Sequence, residues 1–256
     1  MSVLYFFQGS ALFLNDTIDA KAHNHHLIEI FISLKDILKI ETNQGVFEGY
    51  NIIISPDEIH KIKSNENSYA LLLLDSESLI AWQIKKKYFR NNLVEILNNS
   101  TFSELRDEIQ KLFTYDCSIE EAKMIFDKII FRLIEIEVIK SDEYDPRIKK
   151  AIEIINQLTE KKIKIKELAY SVCMSESSLI HLFTNQIGIP IRRYLLWRRL
   201  IDAINLINRG VSFTTASYET GFSDSAHLSR TFKKMFGLKL LDIFKNCQIV
   251  QVKIEK

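Results

Sequence analysis

The chain has few cysteines: three in 256 residues, at Cys117, Cys173 and Cys247. An odd number with no pairing pattern argues against a disulfide framework and for a reducing compartment, so a cytoplasmic protein is expected. No apolar run approaches the roughly 18 residues that a membrane span needs. The opening MSVLYFFQGS lacks the basic start and small-residue cleavage site of a signal peptide, and reads instead as a first strand. There is no glycine-rich phosphate loop, no nucleophile–base arrangement and no zinc-finger spacing, so catalysis is not expected. What is present is ordinary for a soluble globular protein: 46% apolar and 26% charged residues, over a length that suits about two domains.

Charge of one sign is scarce in each half. The chain carries 34 Lys and Arg against 33 Asp and Glu, a net charge of +1. From Asp145 onward the count is 19 basic against 10 acidic, and before it 15 against 23. A basic C-terminal half behind an acidic N-terminal half implies that one half meets a polyanion and the other does not.

Residues 1 to about 75 read as short β-branched or aromatic strands (SALFLN, LIEIFISL, ILKIET, NIIIS, YALLLLD) separated by turn signals, the pattern of a small antiparallel barrel. From about 78 to 140 the pattern becomes helical, with apolar residues three and four apart. The stretch around 119–139 is apolar on most of its circumference, so it is covered by the barrel or by a second subunit. Residues 141–146 form a polar linker, with Asp145 as helix N-cap and Pro146 in the first helical position. The fold class is therefore α+β: a barrel with helices over 1–140, then an all-α domain over 147–256.

The all-α half is organised around Val211 to Gly237. This stretch reads as a short helix, a turn at Gly221, an N-cap at Ser223 and a second helix. Leu228, Phe232, Met235 and Phe236 form its apolar stripe, and Ser225, Ala226, Ser229, Arg230, Lys233 and Lys234 its exposed face. A helix so presented fits a DNA major groove. A similar unit starts at Ile165, with Cys173 in its turn and Ser175 as N-cap, and a helix over 191–208 joins the two. At 18 residues that helix is about 27 Å long. Arg230 is the best candidate for reading a base, since a guanidinium can bond guanine O6 and N7 together. Thr184, Asn185, Arg198, Lys233 and Lys234 are candidates for phosphate contacts, and Arg199 for an internal ion-pair partner.

GFSDSAHLSRTFKKMFG resembles the signature of the AraC/XylS family of transcription regulators. The resemblance implies base contacts also at Ser177, Ile180 and His181 in the first unit, and at Ser225, Ala226 and Ser229 in the second. It implies double-stranded promoter DNA and RNA polymerase as partners, an activator role, a cupin-like N-terminal domain binding a small-molecule effector, and a homodimer formed through about 119–139. Phe31, Phe47, Tyr50 and Ile54 are the candidate effector-pocket residues. His23, His25, Glu29 and His60 resemble the HxH, Glu and later His of metal-binding cupins, with Glu58 standing where glycine is usual. That leaves three alternatives: no ligand role at all, a pocket role without metal, or a metal-binding cupin enzyme fused to a DNA-targeting domain. The sequence departs from the family in lacking a proline after Gly237, and the first unit's recognition helix lacks basic residues.

Overall fold

The computed structural model describes residues 2–7, 9–15, 22–24, 26–63, 68–114, 117–135, 144–158, 163–236, 240–245 and 250–254. They fall into two compact units. The first comprises Met1–Ser76, Ile80–Ile136 and Thr231–Lys256, and the second Glu77–Leu79 and Glu137–Arg230. The expected boundary near residue 146 differs from this division at the C-terminal end. There the residues from Thr231 onward belong to the first unit, and they include a strand that no sequence pattern announced. The linker residues 141–143 and the dimer candidates 136–139 lie outside the described residues.

The first unit is built on two sheets. Seven strands form the larger: β1 (Ser2–Phe7), β2 (Ser10–Asn15), β3 (Leu27–Ser33), β6 (Asn51–Ile54), β8 (Tyr69–Asp75), β9 (Val94–Leu97) and β10 (Val250–Ile254), in the order β10-β1-β2-β8-β3-β6-β9. The smaller holds β4 (Leu38–Thr42), β5 (Gly45–Gly49) and β7 (His60–Lys63), in the order β5-β4-β7. All pairs are antiparallel except β1 with β10, which run parallel. The expected barrel is thus two sheets rather than one closed cylinder.

Side-chain alternation divides β3 between two faces. Ile28, Ile30 and Ile32 join Ile53, Leu72 and Leu74 in a core shared with Phe102, Ile109, Phe126, Ile129 and Leu133 from the helical segment. Each such side chain contributes about 1.5–3 kcal/mol by leaving water. Glu29 and Phe31 point the other way, into the space before the smaller sheet. Because both faces of the larger sheet are covered, its central strands read as unbroken apolar runs rather than alternating ones.

The helical segment contains α1 (Leu79–Tyr88), a 3-10 stretch (Asn99–Leu105), α2 (Arg106–Thr114) and α3 (Ile119–Ile134). A capping box starts α3: the Ser118 hydroxyl accepts from the Glu121 N–H while the Glu121 carboxylate accepts from the Ser118 N–H. Ile125, Phe126, Ile129, Ile130 and Leu133 of α3 are buried, whereas Met124 and Phe131 are exposed. One face of α3 is therefore covered by its own chain. The apolar spacing of Leu79–Leu97 reads as helical in the sequence. The helix stops at Tyr88, and Val94–Leu97 extends the sheet as an edge strand beside β6.

Candidate nucleic-acid interface

The second unit opens with α4 (Pro146–Gln157). Asp145 caps it by accepting from the Arg147 N–H at 2.8 Å, with Pro146 in the first turn as the sequence indicates. Bonding to the Arg147 side chain, and then to its backbone N–H, lowers the Asp145 carboxyl to a pKa of about 2. Next come α5 (Ile165–Ser171), α6 (Glu176–Ile187), α7 (Ile191–Asn208), α8 (Phe213–Glu219) and α9 (Ser225–Phe236), of which Ser225–Arg230 belong to this unit and the remaining residues of α9 to the first. A left-handed residue, Gly188 at φ 85°, ends α6, and Gly210 at φ 88° follows the end of α7. The helix α7 has the 18 residues expected and buries Trp197, Leu200 and Ala203.

The pairs α5–α6 and α8–α9 have the same turn. In the first, the Cys173 N–H donates to the Tyr170 carbonyl and the Met174 N–H to that of Ala169. In the second, Gly221 donates to Tyr218 and Phe222 to Ser217. Both are Schellman closures, and both need a left-handed residue: Cys173 at φ 55° and Gly221 at φ 82°. Cysteine tolerates that conformation less well than glycine, yet tertiary packing holds it there.

After the turns the units differ by one residue. Ser175 caps α6, accepting from the Ser178 N–H at 3.2 Å. In α9 the cap is Asp224, which accepts from the His227 N–H at 2.6 Å. Ser223 was the expected cap. Its hydroxyl instead bonds the Asp224 carboxylate at 3.0 Å and lies 3.1 Å from His227 Nδ1. With Ser175 matched to Asp224, Leu179 falls on Leu228 and Phe183 on Phe232, all four buried. Ser177 then falls on Ala226 rather than on Ser225. Ile180 falls on Ser229, His181 on Arg230, Thr184 on Lys233 and Asn185 on Lys234.

These matched positions define two faces. In α6, Ser177, Ile180 and His181 are exposed, Thr184 is half-buried and Asn185 is exposed. In α9, Ala226, Arg230, Lys233 and Lys234 are exposed, while Ser225 and Ser229 are half-buried. The spacing of three, four and seven puts one stripe of polar or small groups along each helix, opposite its core residues. Arg198 departs from expectation: only 14% of its side chain is exposed, with a carboxylate oxygen of Asp202 at 3.8 Å, so no surface is left for a phosphate. Arg199 is internal as expected, but its partners are the Gly221 carbonyl at 3.4 Å and the Phe222 ring at 5.4 Å. Burial pushes its pKa down. It bridges α7 to the second turn.

Two features escaped the sequence. Arg147 lines a shallow groove with Met174, Ser177, Ser178 and His181, which sets a cation from α4 beside the face of α6. Tyr170 and Tyr218 occupy matched positions in α5 and α8, at 86% and 59% exposure. Their common spacing of 48 residues from turn to turn was the available signal.

In the first unit, Phe31 and Ile54 lie on the same face of the larger sheet and are fully buried. Phe47 is half-buried opposite Ile40 on the smaller sheet. The Arg106 guanidinium lies 5.4 Å from the ring centre of Tyr50. Of the metal candidates, His23, Glu29 and His60 come together and His25 lies outside the described residues.

Two pairs of helices with the same turn, each presenting a polar second helix, define a double helix-turn-helix DNA-binding protein. Comparison with known proteins agrees. A family model described as a helix-turn-helix domain matches residues 168–246. The probable transcriptional regulator LumQ of Photobacterium leiognathi is 24% identical over 238 residues, covering 84% of this chain and 88% of that protein. The arabinose operon regulatory protein of Escherichia coli is 30% identical over 106 residues, 41% of this chain and 36% of that one, so the chain spans about a third of that relative. The structure of ToxT from Vibrio cholerae shares the fold at a TM-score of 0.50 and 14% identity, over 92% of this chain and 97% of that one. The chain carries a helix-turn-helix domain and is similar to DNA-binding transcription regulators, as its AraC/XylS-like signature implies. Among the described residues no helix is long and apolar enough to cross a membrane.

Proposed function

We propose that the chain activates transcription by laying α6 and α9 against the major groove of double-stranded promoter DNA. Base edges are read by Ser177, Ile180 and His181 in α6 and by Ala226, Ser229 and Arg230 in α9, with Ser225 at the start of that helix. Thr184, Asn185, Lys233 and Lys234 bond phosphates. The observation that carries this reading is the position-by-position match of the two exposed stripes behind identical turns. A cap at matched positions fixes where each stripe begins, and a buried Leu and Phe in each helix fix its rotation. Tyr170 and Tyr218 are further phosphate contacts, since the first helix of such a unit crosses the DNA backbone, and Arg147 of α4 is another because it lies beside the face of α6.

Affinity rests mainly on α9, where Arg230, Lys233 and Lys234 supply charge that α6 lacks. The N-terminal unit serves as the sensing and pairing part. Exposed Met124 and Phe131, seven residues apart on α3, support a homodimer through that helix, and buried Phe31 and Ile54 support a small-molecule effector held between the sheets. RNA polymerase is the partner through which an activator acts, and the cytoplasm is where it meets DNA. The relatives named above are regulators, which favours this reading over a metal-dependent enzyme.

Binding of purified protein to promoter fragments, recovered by genome-wide mapping of bound DNA, tests the reading. Arg230→Ala is expected to lower specific affinity by about ten- to a hundredfold, equivalent to 1–3 kcal/mol, and to relax sequence preference at one position. Unchanged affinity and preference would remove Arg230 from the interface.

A further inference from the structure

The DNA contacts proposed above do not use a group of cations inside the second unit. Ile163, Lys164, Ile165 and Glu167, at and just before the start of α5, line a surface cavity of about 540 Å³. Its remaining lining comes from Arg192, Leu195 and Arg199 of α7, which are three and four positions apart and so form one stripe along that helix. Around the cavity four cations meet two carboxylates. Glu77 is shared between Arg192 at 2.5 Å and Arg193 at 3.7 Å, and Glu167 lies 3.9 Å from Lys164. Arg199 pairs with no carboxylate among the described residues.

Arg199 concentrates that imbalance. A guanidinium drawn out of water is ordinarily paired, because only a counter-charge or a full set of hydrogen bonds replaces its hydration. Here the Nε is buried with no hydrogen-bond partner among the described residues. One N–H donates to the Gly221 carbonyl at 3.4 Å, and the Phe222 ring centre lies 5.4 Å from the guanidinium. A carbonyl and a ring face satisfy a cation only in part, since neither carries a full negative charge. Tying α7 to the second turn needs a donor for Gly221, not a positive charge beside a cavity.

We propose that the cavity between α5 and α7 binds a small organic carboxylate, its anionic end on Arg199 and its apolar body against Ile163, Ile165 and Leu195. Arg192 and Lys164 add positive potential at the rim. A guanidinium matches a carboxylate in both charge and planar geometry. The volume falls within the range of small-molecule sites, about 300–1,000 Å³. The aliphatic lining separates this class from inorganic anions, which would cover none of it. The site shares no residue with the effector pocket proposed between the sheets, so it is a second input, placed in the DNA-binding half. A ligand there touches the first helix of one pair and, through Arg199, the turn of the other.

The test uses tag-free full-length protein in a buffer free of carboxylates and phosphate, titrated by calorimetry with phenylacetate and with cyclohexanecarboxylate. One equivalent of at least one of them binds with a Kd below about 1 mM and raises Tm. Phenylacetamide keeps the ring without the charge, and acetate keeps the charge without the ring. Each binds about tenfold more weakly or worse. Arg199→Gln weakens binding about tenfold and Arg192→Gln about threefold. The Arg192 side chain is 73% exposed, so Arg192→Gln folds even where Arg199→Gln does not. Arg209→Gln removes an exposed cation at the far end of α7 and leaves binding unchanged. Absence of saturable binding of both carboxylates overturns the proposal. So does phenylacetamide, acetate or inorganic phosphate binding as tightly as the better carboxylate, and so does an affinity that Arg192→Gln leaves unchanged or that Arg209→Gln lowers as much.

Discussion

The two helix-turn-helix units share a backbone plan and differ in almost every side chain that faces outward. Both close the first helix with the same pair of hydrogen bonds around a left-handed residue, and both seat a Leu and a Phe of the second helix in the core. Yet the left-handed residue is Cys173 in one and Gly221 in the other, the cap is Ser175 in one and Asp224 in the other, and the central exposed residue is His181 in one and Arg230 in the other. Core positions and hydrogen-bond geometry are therefore what the architecture requires. The outward residues are free to set charge and base preference separately. The second unit carries its cations on its own recognition helix, while the first has Arg147 of α4 beside it.

The comparison can be broken most severely in the cores. Leu179→Ala and Leu228→Ala remove equivalent buried side chains, and each is expected to cost about 2–5 kcal/mol in urea unfolding. A cost for Leu179→Ala far below that of Leu228→Ala would mean that the two helices are not seated alike. Next is the exposed pair. DNA titrations should show Arg230→Ala costing about 1–3 kcal/mol and His181→Ala less than half of that, because only the guanidinium makes a charged bidentate contact. Equal losses would place the two units on a par.

A smaller effect separates the turns. Cys173→Gly should stabilise by up to about 1 kcal/mol and Gly221→Ala destabilise by about 1–2 kcal/mol, since a Cβ is strained at positive φ. Thermal melts giving both changes the same sign would contradict the matched geometry.

The smallest concerns the caps. The His227 N–H, then the Ser223 hydroxyl, lower the Asp224 carboxyl below its usual 3.8. A lowered folded pKa means that the cap stabilises fully above pH 3.8 and is lost as pH falls through the folded value. Ser175 does not titrate. Acid should thus loosen the start of α9 before that of α6, and Asp224→Asn should abolish the difference, read by amide exchange at the two helix starts.

Much of this was legible in the sequence because it is local. Helix period, the Asp145–Pro146 start, the glycine after α7 and the apolar stripe of α9 are set by neighbours three or four residues apart. The cap of α9 was misplaced by one residue. Ser223 and Asp224 are both good caps, and only the register of the turn chooses between them. Val94–Leu97 was read as helix because four residues carry no period of their own, and β6 beside them decides the outcome.

What the sequence determined by itself was the resemblance to a family of regulators, the two helix pairs with their recognition helices, and the apolar strands, all written in short local patterns. Tertiary structure alone decided the rest. It turned Arg198 inward, set Arg147 beside His181, paired β10 with β1, and gathered His23, Glu29 and His60 from three separate segments. Contacts between residues tens or hundreds of positions apart depend on how layers pack, and no local period records that.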